Sequence, residues 1–325
     1  MRDGDGHPVL AMTAGAVCIA GSAVFMKLAG SSASMTALLR CAIALPVLAL
    51  LVRREHQKGA ARMTRRSRWL ARAAGVFLAA DLIVWSHAID EIGAGLGTVT
   101  GNLQVTITAL LAWCVLGERP KSSLLFAAPV LLTGLVLVGG GVGSRAYGAD
   151  PRLGVILGTC VAVLYSVYIL MLRQATTRQA IAEPLLEETA GAVAGSLALG
   201  FALNDLRLGP AWPTLGWLTL LALTSQVLGW MLITTSMPRL PAWLIGALLL
   251  IQPAGSVALG AIALRERPSQ WQLIGVALML VGVLIATAGH NRTKMADNAT
   301  ITDETIAAKT RTTTDAEGHY GGVRP

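Results

Sequence analysis

The chain has 325 residues, of which 54% are hydrophobic and only 14% are charged, whereas about 25% of the residues of an ordinary soluble domain are charged. A soluble protein of this length cannot bury so much apolar surface, and a disordered chain would carry more charge, so the composition predicts an integral membrane protein. The net charge of +8 does not indicate a nucleic-acid partner, because much of the positive charge falls in one short segment between apolar runs.

Ten apolar stretches are long enough to cross a bilayer core about 30 Å thick as helices. In chain order they cover about 8–29, 33–52, 70–88, 93–117, 123–143, 152–172, 184–203, 212–236, 240–264 and 271–290. Most of them lack the alternating polarity of barrel strands, which predicts an all-α integral membrane fold with ten transmembrane helices. The acidic start of the chain is unlike the basic head of a signal peptide, so we expect the first run to remain as a membrane helix.

The distribution of Lys and Arg predicts the orientation of these helices. With ten spans both termini lie on one side, and that side receives most of the basic residues outside the spans, including Arg53, Arg54, Lys58, Arg62, Arg65, Arg66 and Arg68. Because basic loops stay in the cytoplasm, we expect a multi-pass protein of the inner (plasma) membrane with both termini cytoplasmic. Residues 290–325 are rich in Thr, Ala and Asp, which predicts a disordered cytoplasmic tail.

The two halves of the chain are related by an internal repeat. Segment 102–120, NLQVTITALLAWCVLGERP, aligns without a gap on 250–268, LIQPAGSVALGAIALRERP, at an offset of 148. The two repeats extend over about 8–143 and 152–289. Each contains five helices, an odd number, so the two copies must cross the membrane in opposite directions. Inverted repeats are common in secondary transporters, whose substrate site lies near the midplane between the halves.

The motifs at the ends of the fourth and ninth spans resemble those of the ten-helix drug/metabolite transporter superfamily, of the EamA type. These motifs are Leu116-Gly117-Glu118-Arg119-Pro120 and Leu264-Arg265-Glu266-Arg267-Pro268, together with Gln252-Pro253, where the family has a proline midway along the ninth helix. Two departures are Gln104-Val105, which lacks the equivalent proline, and Arg265 in place of a glycine. The resemblance covers about 8–289 and implies an inner-membrane carrier with a central cavity.

Two pairs of polar and aromatic residues are candidates for the substrate site. Asp81 lies in the middle of the third span, four residues before Trp85, so both side chains share one helix face. Gln226 and Trp230 repeat this spacing in the eighth span. On the functional interpretation, Asp81 and Gln226 face each other across a cavity with tryptophan walls. On the alternative, Asp81 joins neighbouring helices and the tryptophans only pack.

Three further interpretations concern charged residues within the spans. Burial favours the protonated form of a carboxylic acid, so Asp81 is also the candidate for proton coupling. Lys27 and Arg40 lie near the external ends of the first two spans. They either extend to the membrane interface or attract an anionic group of the substrate.

Gln104 and Gln252 occupy equivalent positions of the two repeats and are candidates for substrate contact or for hydrogen bonds between helices. Tyr165 is deep enough in the sixth span to line a cavity. The residues that end the fourth and ninth spans are expected to be structural, as helix caps or ion pairs, and these are Glu118, Arg119, Pro120, Glu266, Arg267 and Pro268.

The favoured function is secondary transport of a small organic metabolite, amino-acid-like or drug-like, by alternating access, with proton coupling and export. An enzyme is disfavoured because the sequence lacks HExxH, GxSxG and Walker motifs, and a sensor or scaffold leaves the duplication unexplained. The four cysteines show no CxxC spacing, so we expect no metal site and no cofactor. The expected partners are the substrate and the lipid bilayer, with the chain as a monomer or homodimer.

Overall fold

A computed structural model describes residues 8–118, 122–143, 146–175, 182–206, 211–236, 239–240 and 242–287. Arg119, Pro120 and the tail at 290–325 lie outside these residues. The described chain forms ten helices, which confirms the predicted all-α membrane fold. They are α1 (Pro8–Ala29), α2 (Ala33–Gln57), α3 (Arg65–Ile92), α4 (Ala94–Leu116), α5 (Ser122–Val138), α6 (Pro151–Ala175), α7 (Ala182–Ala202), α8 (Trp212–Ser236), α9 (Ala242–Leu249 and Ile251–Ala263) and α10 (Gln270–Thr287).

Seven of these helices are long and apolar enough to cross a membrane, namely α1, α2, α3, α4, α6, α8 and α10. Helices α5 and α9 contribute shorter apolar segments, Ser122–Val138 and Ala247–Ala263. Helix α7 is not in either group, and its first part carries Glu183, Glu187 and Glu188. All three carboxyl groups have protein partners, which offsets the cost of placing acidic residues in this helix.

Two faces of the bundle are defined by the direction of the helices. Because ten helices alternate in direction, α1 begins and α10 ends at the same end of the bundle, which we call the terminal face. The opposite end is the distal face. Helices α4 and α9 start at opposite faces, as an inverted repeat of two five-helix halves requires.

Helices α4 and α9 are interrupted at equivalent positions of the repeat. Helix α9 breaks at Leu250, and α4 breaks at Asn102 and Leu103 although it lacks the proline. The side-chain amide of Asn102 donates a hydrogen bond to the carbonyl oxygen of Thr98 at 2.9 Å. The backbone nitrogens of Asn102 and Leu103 bond to carbonyls three residues earlier, so this turn is tighter than an α-helix.

The most extensive helix packing joins the two halves, with α3 against α6 and α7 and α2 against α7. The α3–α7 crossing is close because small residues meet there: a Cβ atom on Gly75 would overlap the carbonyl oxygen of Glu188, and one on Gly191 would overlap that of Arg72. Such contacts let membrane helices approach without large side chains between them. The halves therefore form one bundle around a shared interior.

Helix α2 caps the first turn of α7 at one face, and the segment that follows α7 caps the first turn of α2 at the other. At the terminal face, the Glu55 carboxylate accepts a hydrogen bond from the backbone nitrogen of Ala182 at 3.0 Å. At the distal face, Asp205 accepts one from the backbone nitrogen of Ser34, also at 3.0 Å. Each acid satisfies a donor that a helix leaves free at its N-terminus and complements the helix dipole. The α2–α7 pair is thus held at both ends.

Candidate central cavity

A cavity of about 230 Å³ lies between the two halves. Helices of both repeats contribute to its wall, with α1, α2, α3 and α4 from the first and α6, α8, α9 and α10 from the second. The wall includes the predicted substrate residues Asp81, Trp85, Gln104, Tyr165, Gln226, Trp230 and Gln252, and it also includes Arg40. Candidates that lie up to 212 residues apart in the sequence, Arg40 and Gln252, are therefore brought to one space.

Asp81 is buried in the cavity wall, with 4% of its surface exposed. Its Oδ1 atom has no hydrogen-bond donor among the residues that the structure describes. This atom therefore joins no neighbouring helix in the described part of the chain, and the choice between the two interpretations of Asp81 stays a prediction. Trp85 lies one turn further along α3 and is also buried, so the two side chains form one face of the cavity.

Gln226 faces the cavity from a distorted part of α8. Residues Ala222–Gly229 form a π-helix between two α-helical segments. Such π segments often occur at functional sites, because the extra residue per turn changes which side chains face inward. Gln226 and Trp230 both line the cavity, Gln226 within the π segment and Trp230 directly after it.

Arg40 is directed into the cavity, not toward the membrane interface, and is 6% exposed. Its Nε atom donates a hydrogen bond to Oε1 of Gln226 at 3.0 Å, which joins α2 to α8 across the two halves. Its Nη1 atom is buried and has no acceptor among the described residues. Buried guanidinium donors are normally paired, so this free donor is a chemical feature of the cavity.

Lys27 has a different position from Arg40. It does not belong to the cavity wall, and its Nζ atom donates a hydrogen bond to the carbonyl oxygen of Ile89 at 3.2 Å. This contact joins the distal ends of α1 and α3. Of the two predicted anion-attracting residues, the structure brings only Arg40 into the cavity.

The cavity is closed at the distal face by contacts between α4 and α9. The hydroxyl of Ser256 donates a hydrogen bond to Oγ1 of Thr98 at 3.0 Å, and a Cβ atom on Gly95 would lie 2.7 Å from Cα of Val257. The carboxylate of Glu266 accepts hydrogen bonds from the backbone nitrogens of Ala94 at 2.6 Å and Gly95 at 3.2 Å. These contacts bind the distal segments of the interrupted helices together.

The equivalent segments separate toward the terminal face. Gln104–Leu116 of α4 packs on α6, whereas Ala242–Leu249 of α9 packs on α1. The cavity wall includes Leu249 and Thr287, and Thr287 is the last described residue of α10. The cavity therefore extends toward the terminal face and is blocked toward the distal face.

The residues that end α4 and α9 have different partners in the two repeats. Glu118 forms an exposed ion pair with Arg173, whereas the buried Glu266 caps α4. Arg267 is exposed and Pro268 is partly buried, and no ion pair between Glu266 and Arg267 is present in the described chain. Tyr147 lies beside this cap: burial raises the pKa of its hydroxyl, and the charge of Glu266 raises that pKa further, so the ring stays neutral.

Residues 7–140 and 152–288 each match the EamA-like transporter family. The chain belongs to this family. It is a multi-pass membrane transporter of the drug/metabolite class, as the sequence motifs predicted. No curated protein matches the chain in sequence. A crystal structure of another protein has a TM-score of 0.58 and 17% sequence identity, and the match covers 86% of this chain and 98% of that chain. At this identity the similarity shows the fold alone.

Several residues around the cavity of this EamA-like transporter were not among the predicted site residues. Asn102 lines the cavity and lies at the break in α4, where its amide bonds to the carbonyl oxygen of Thr98. Tyr168 lines it too, and its hydroxyl donates a hydrogen bond of 2.7 Å to the buried carboxyl of Glu188 on α7. The sequence feature that could have identified these positions is a polar residue within an apolar span, and Asn102 and Glu188 are both such residues.

Proposed function

We propose that this EamA-like transporter is a secondary transporter, and not an enzyme, that moves a small organic metabolite by alternating access. The observation that carries the proposal is the central cavity, which two inverted halves line and which contacts between described residues of α4 and α9 block at the distal face. In alternating access the two halves exchange conformations, and a single site opens to each face in turn. The present conformation then corresponds to one of these two states.

The proposed orientation has the terminal face in the cytoplasm and the chain in the plasma membrane. Exposed cations cluster at this face in the α2–α3 connection and in the helix ends beside it, among them Arg53, Arg54, Lys58, Arg62, Arg65 and Arg66. The positive-inside rule supports a cytoplasmic position for such a loop. The cavity would then be open to the cytoplasm, which suits the loading step of an exporter.

The proposed substrate is a metabolite of modest size, amino-acid-like or drug-like, that moves in exchange for protons. A volume of about 230 Å³ is below the roughly 300–1,000 Å³ of sites for drug-sized ligands, which favours the smaller, amino-acid-like class. Asp81 is the proposed proton carrier because it is the acidic residue of the cavity wall and its Oδ1 atom has no donor in the described chain. Export against a gradient would then use inward proton flow.

The transport proposal is tested by comparing metabolite levels inside and outside cells that overproduce the protein with those in cells that lack it. A transported metabolite should accumulate outside the producing cells. It should also exchange between the two sides of proteoliposomes that contain the purified chain. Absence of any metabolite difference, with the protein present in the membrane, would contradict export.

Proton coupling is tested in the same proteoliposomes with an imposed pH gradient and saturating substrate. Accumulation driven by the gradient should occur with the natural protein and disappear in Asp81→Asn. Asp90→Asn is the matched control, because Asp90 lies on the same helix but is exposed at the distal end. If Asp81→Asn keeps the full response to pH, Asp81 does not carry the proton.

A further inference from the structure

The two charged residues of the cavity wall are complementary to a ligand with two opposite charges. Arg40 and Asp81 both line the cavity, and both are almost fully buried. Each has a buried atom without a partner in the described chain, Nη1 of Arg40 as a donor and Oδ1 of Asp81 as an acceptor. No hydrogen bond joins them in the described chain, and Nε of Arg40 donates to Gln226 instead.

We infer that the transported substrate is a zwitterion whose anionic group binds Arg40 and whose cationic group binds Asp81. This inference rests on the proposed transport function and specifies its substrate class. A carboxylate can accept from the free Nη1 donor, and an ammonium group can donate to the free Oδ1 acceptor. One molecule that carries both groups satisfies both atoms at once.

Charge balance favours a zwitterion over a singly charged ligand. With Arg40 and Asp81 ionised, their charges cancel, and a zwitterion leaves that balance unchanged. A ligand with one charge would neutralise one residue and leave the other buried without a counter-charge, which is unfavourable in a medium of low dielectric constant. The site therefore discriminates by the number of charges as well as by their sign.

A hydrogen bond between the two repeats fixes the orientation of Arg40, so the proposed anion subsite has a defined direction. Gln226 accepts from Nε of Arg40 through Oε1, so the guanidinium plane is held while the Nη1 edge stays free. The apolar part of the substrate would lie against Trp85 and Trp230, which belong to the same wall. These rings add apolar contact area without adding charge.

The inference is tested by ligand binding to the purified full chain in nanodiscs, followed through its tryptophan fluorescence. The probes are the twenty standard α-amino acids and glycine betaine, which carries fixed charges of both signs. For the amino acid that binds most tightly, two derivatives follow: its amide, which lacks the negative charge, and its N-acetyl form, which lacks the positive charge. Both derivatives should bind at least about tenfold more weakly than the parent.

Variants then assign each charge to one residue. Arg40→Gln should weaken binding of the parent amino acid at least about tenfold and should not weaken binding of the amide, which has no negative charge to pair with Arg40. Asp81→Asn should weaken the parent equally and should not weaken binding of the N-acetyl form, which has no positive charge to pair with Asp81. Retained binding of the derivative shows in each case that the variant is folded. Arg173→Gln and Asp90→Asn, at exposed positions, serve as matched controls and should bind like the natural protein.

Three results would overturn the inference. The first is a derivative with one charge that binds as tightly as the parent amino acid. The second is an Arg40→Gln variant that loses the amide and the parent equally. The third is a panel without any binder while the cells export a metabolite that is not zwitterionic. In that last case the transport proposal would stand, because metabolite export is measured independently of the panel.

Discussion

The carboxylate of Glu266 accepts a hydrogen bond of 2.6 Å from the backbone nitrogen of Ala94, so the second repeat caps a helix of the first. The bond satisfies a donor at the start of α4 and places a negative charge at the positive end of its dipole. Glu118, the equivalent residue, instead pairs with Arg173. The repeat is therefore symmetric in sequence and asymmetric in contacts, which agrees with the proposed alternating access.

Glu266→Gln should weaken the distal closure. The neutral amide keeps one acceptor oxygen but loses the charge-assisted bonds, a loss of about 2 kcal/mol. The distal face should then open more often. The measurement is the rate at which a membrane-impermeant maleimide labels a cysteine placed at Ser256, which is fully buried beside α4. The two rates are compared in one Ser256→Cys chain, with and without Glu266→Gln, whose four native cysteines are replaced by alanine because Cys114 and Cys160 are exposed. We expect that rate to rise at least about tenfold.

Glu118→Gln is the matched control for this substitution. Both side chains of its ion pair with Arg173 are exposed, and exposed ion pairs contribute about 0–1 kcal/mol to stability. Labelling at Ser256 should therefore change little. Equal labelling rates in the natural protein and in Glu266→Gln would refute a role for the cap in closure.

Gly75→Val should prevent correct assembly of the two halves. A Cβ atom at this position overlaps the backbone of α7, and the larger side chain would force α3 and α7 apart. Overpacking typically costs about 1–3 kcal/mol, and the cost is greater when backbone must move. The midpoint temperature of aggregation in detergent, measured by fluorescence-detected gel filtration, should fall by several degrees.

Gly216→Val tests whether any valine in a membrane helix has this effect. A Cβ atom on Gly216 would have no neighbour within 4 Å, so the side chain projects into open space. We expect the midpoint to stay within about a degree of that of the natural protein, since surface substitutions rarely change stability by more than about 0.5 kcal/mol. A similar fall in both variants would contradict the close α3–α7 contact.

Part of this architecture could be predicted from the sequence because membrane segments follow simple rules. Apolar length and the 148-residue repeat predicted the ten helices and their inverted halves, and polar residues in apolar spans pointed to Asp81 and Gln226. The partner of Glu266 could not be predicted, because it is a backbone nitrogen 172 residues away. The break at Asn102 depends on competition between a side-chain amide and the helix backbone, which hydropathy does not report.

Gln272→Leu should destabilise the distal end of the bundle. Gln272 is fully buried, and its amide joins the α5–α6 connection to α10. Oε1 accepts from the backbone nitrogens of Tyr147 and Ser269, and Nε2 donates to the carbonyl oxygens of Val138 and Tyr147. Leucine would leave these groups unpaired, at about 1–3 kcal/mol for each group that stays buried.

The check is the same aggregation midpoint, compared with that of Gln270→Leu. Gln270 precedes Gln272 by two residues on α10 but is exposed, so its replacement changes the same chemistry without burying an unpaired group. We expect a large fall for Gln272→Leu and almost none for Gln270→Leu. If the two variants behave alike, the network around Gln272 does not stabilise the fold.

Cysteines placed at Ala61 and at Ala149 should be labelled from opposite sides of the membrane. Ala61 is exposed in the α2–α3 connection at the terminal face, and Ala149 is exposed before α6 at the distal face. The native Cys114 and Cys160 are also exposed, so all four cysteines must first be replaced by alanine. An impermeant maleimide added to intact cells should label the cysteine at position 149. It should label the cysteine at position 61 only after the membrane is opened, because basic loops stay cytoplasmic.

Labelling of both cysteines from outside would contradict the ten-helix order. The reverse pattern would contradict only the cytoplasmic position of the terminal face.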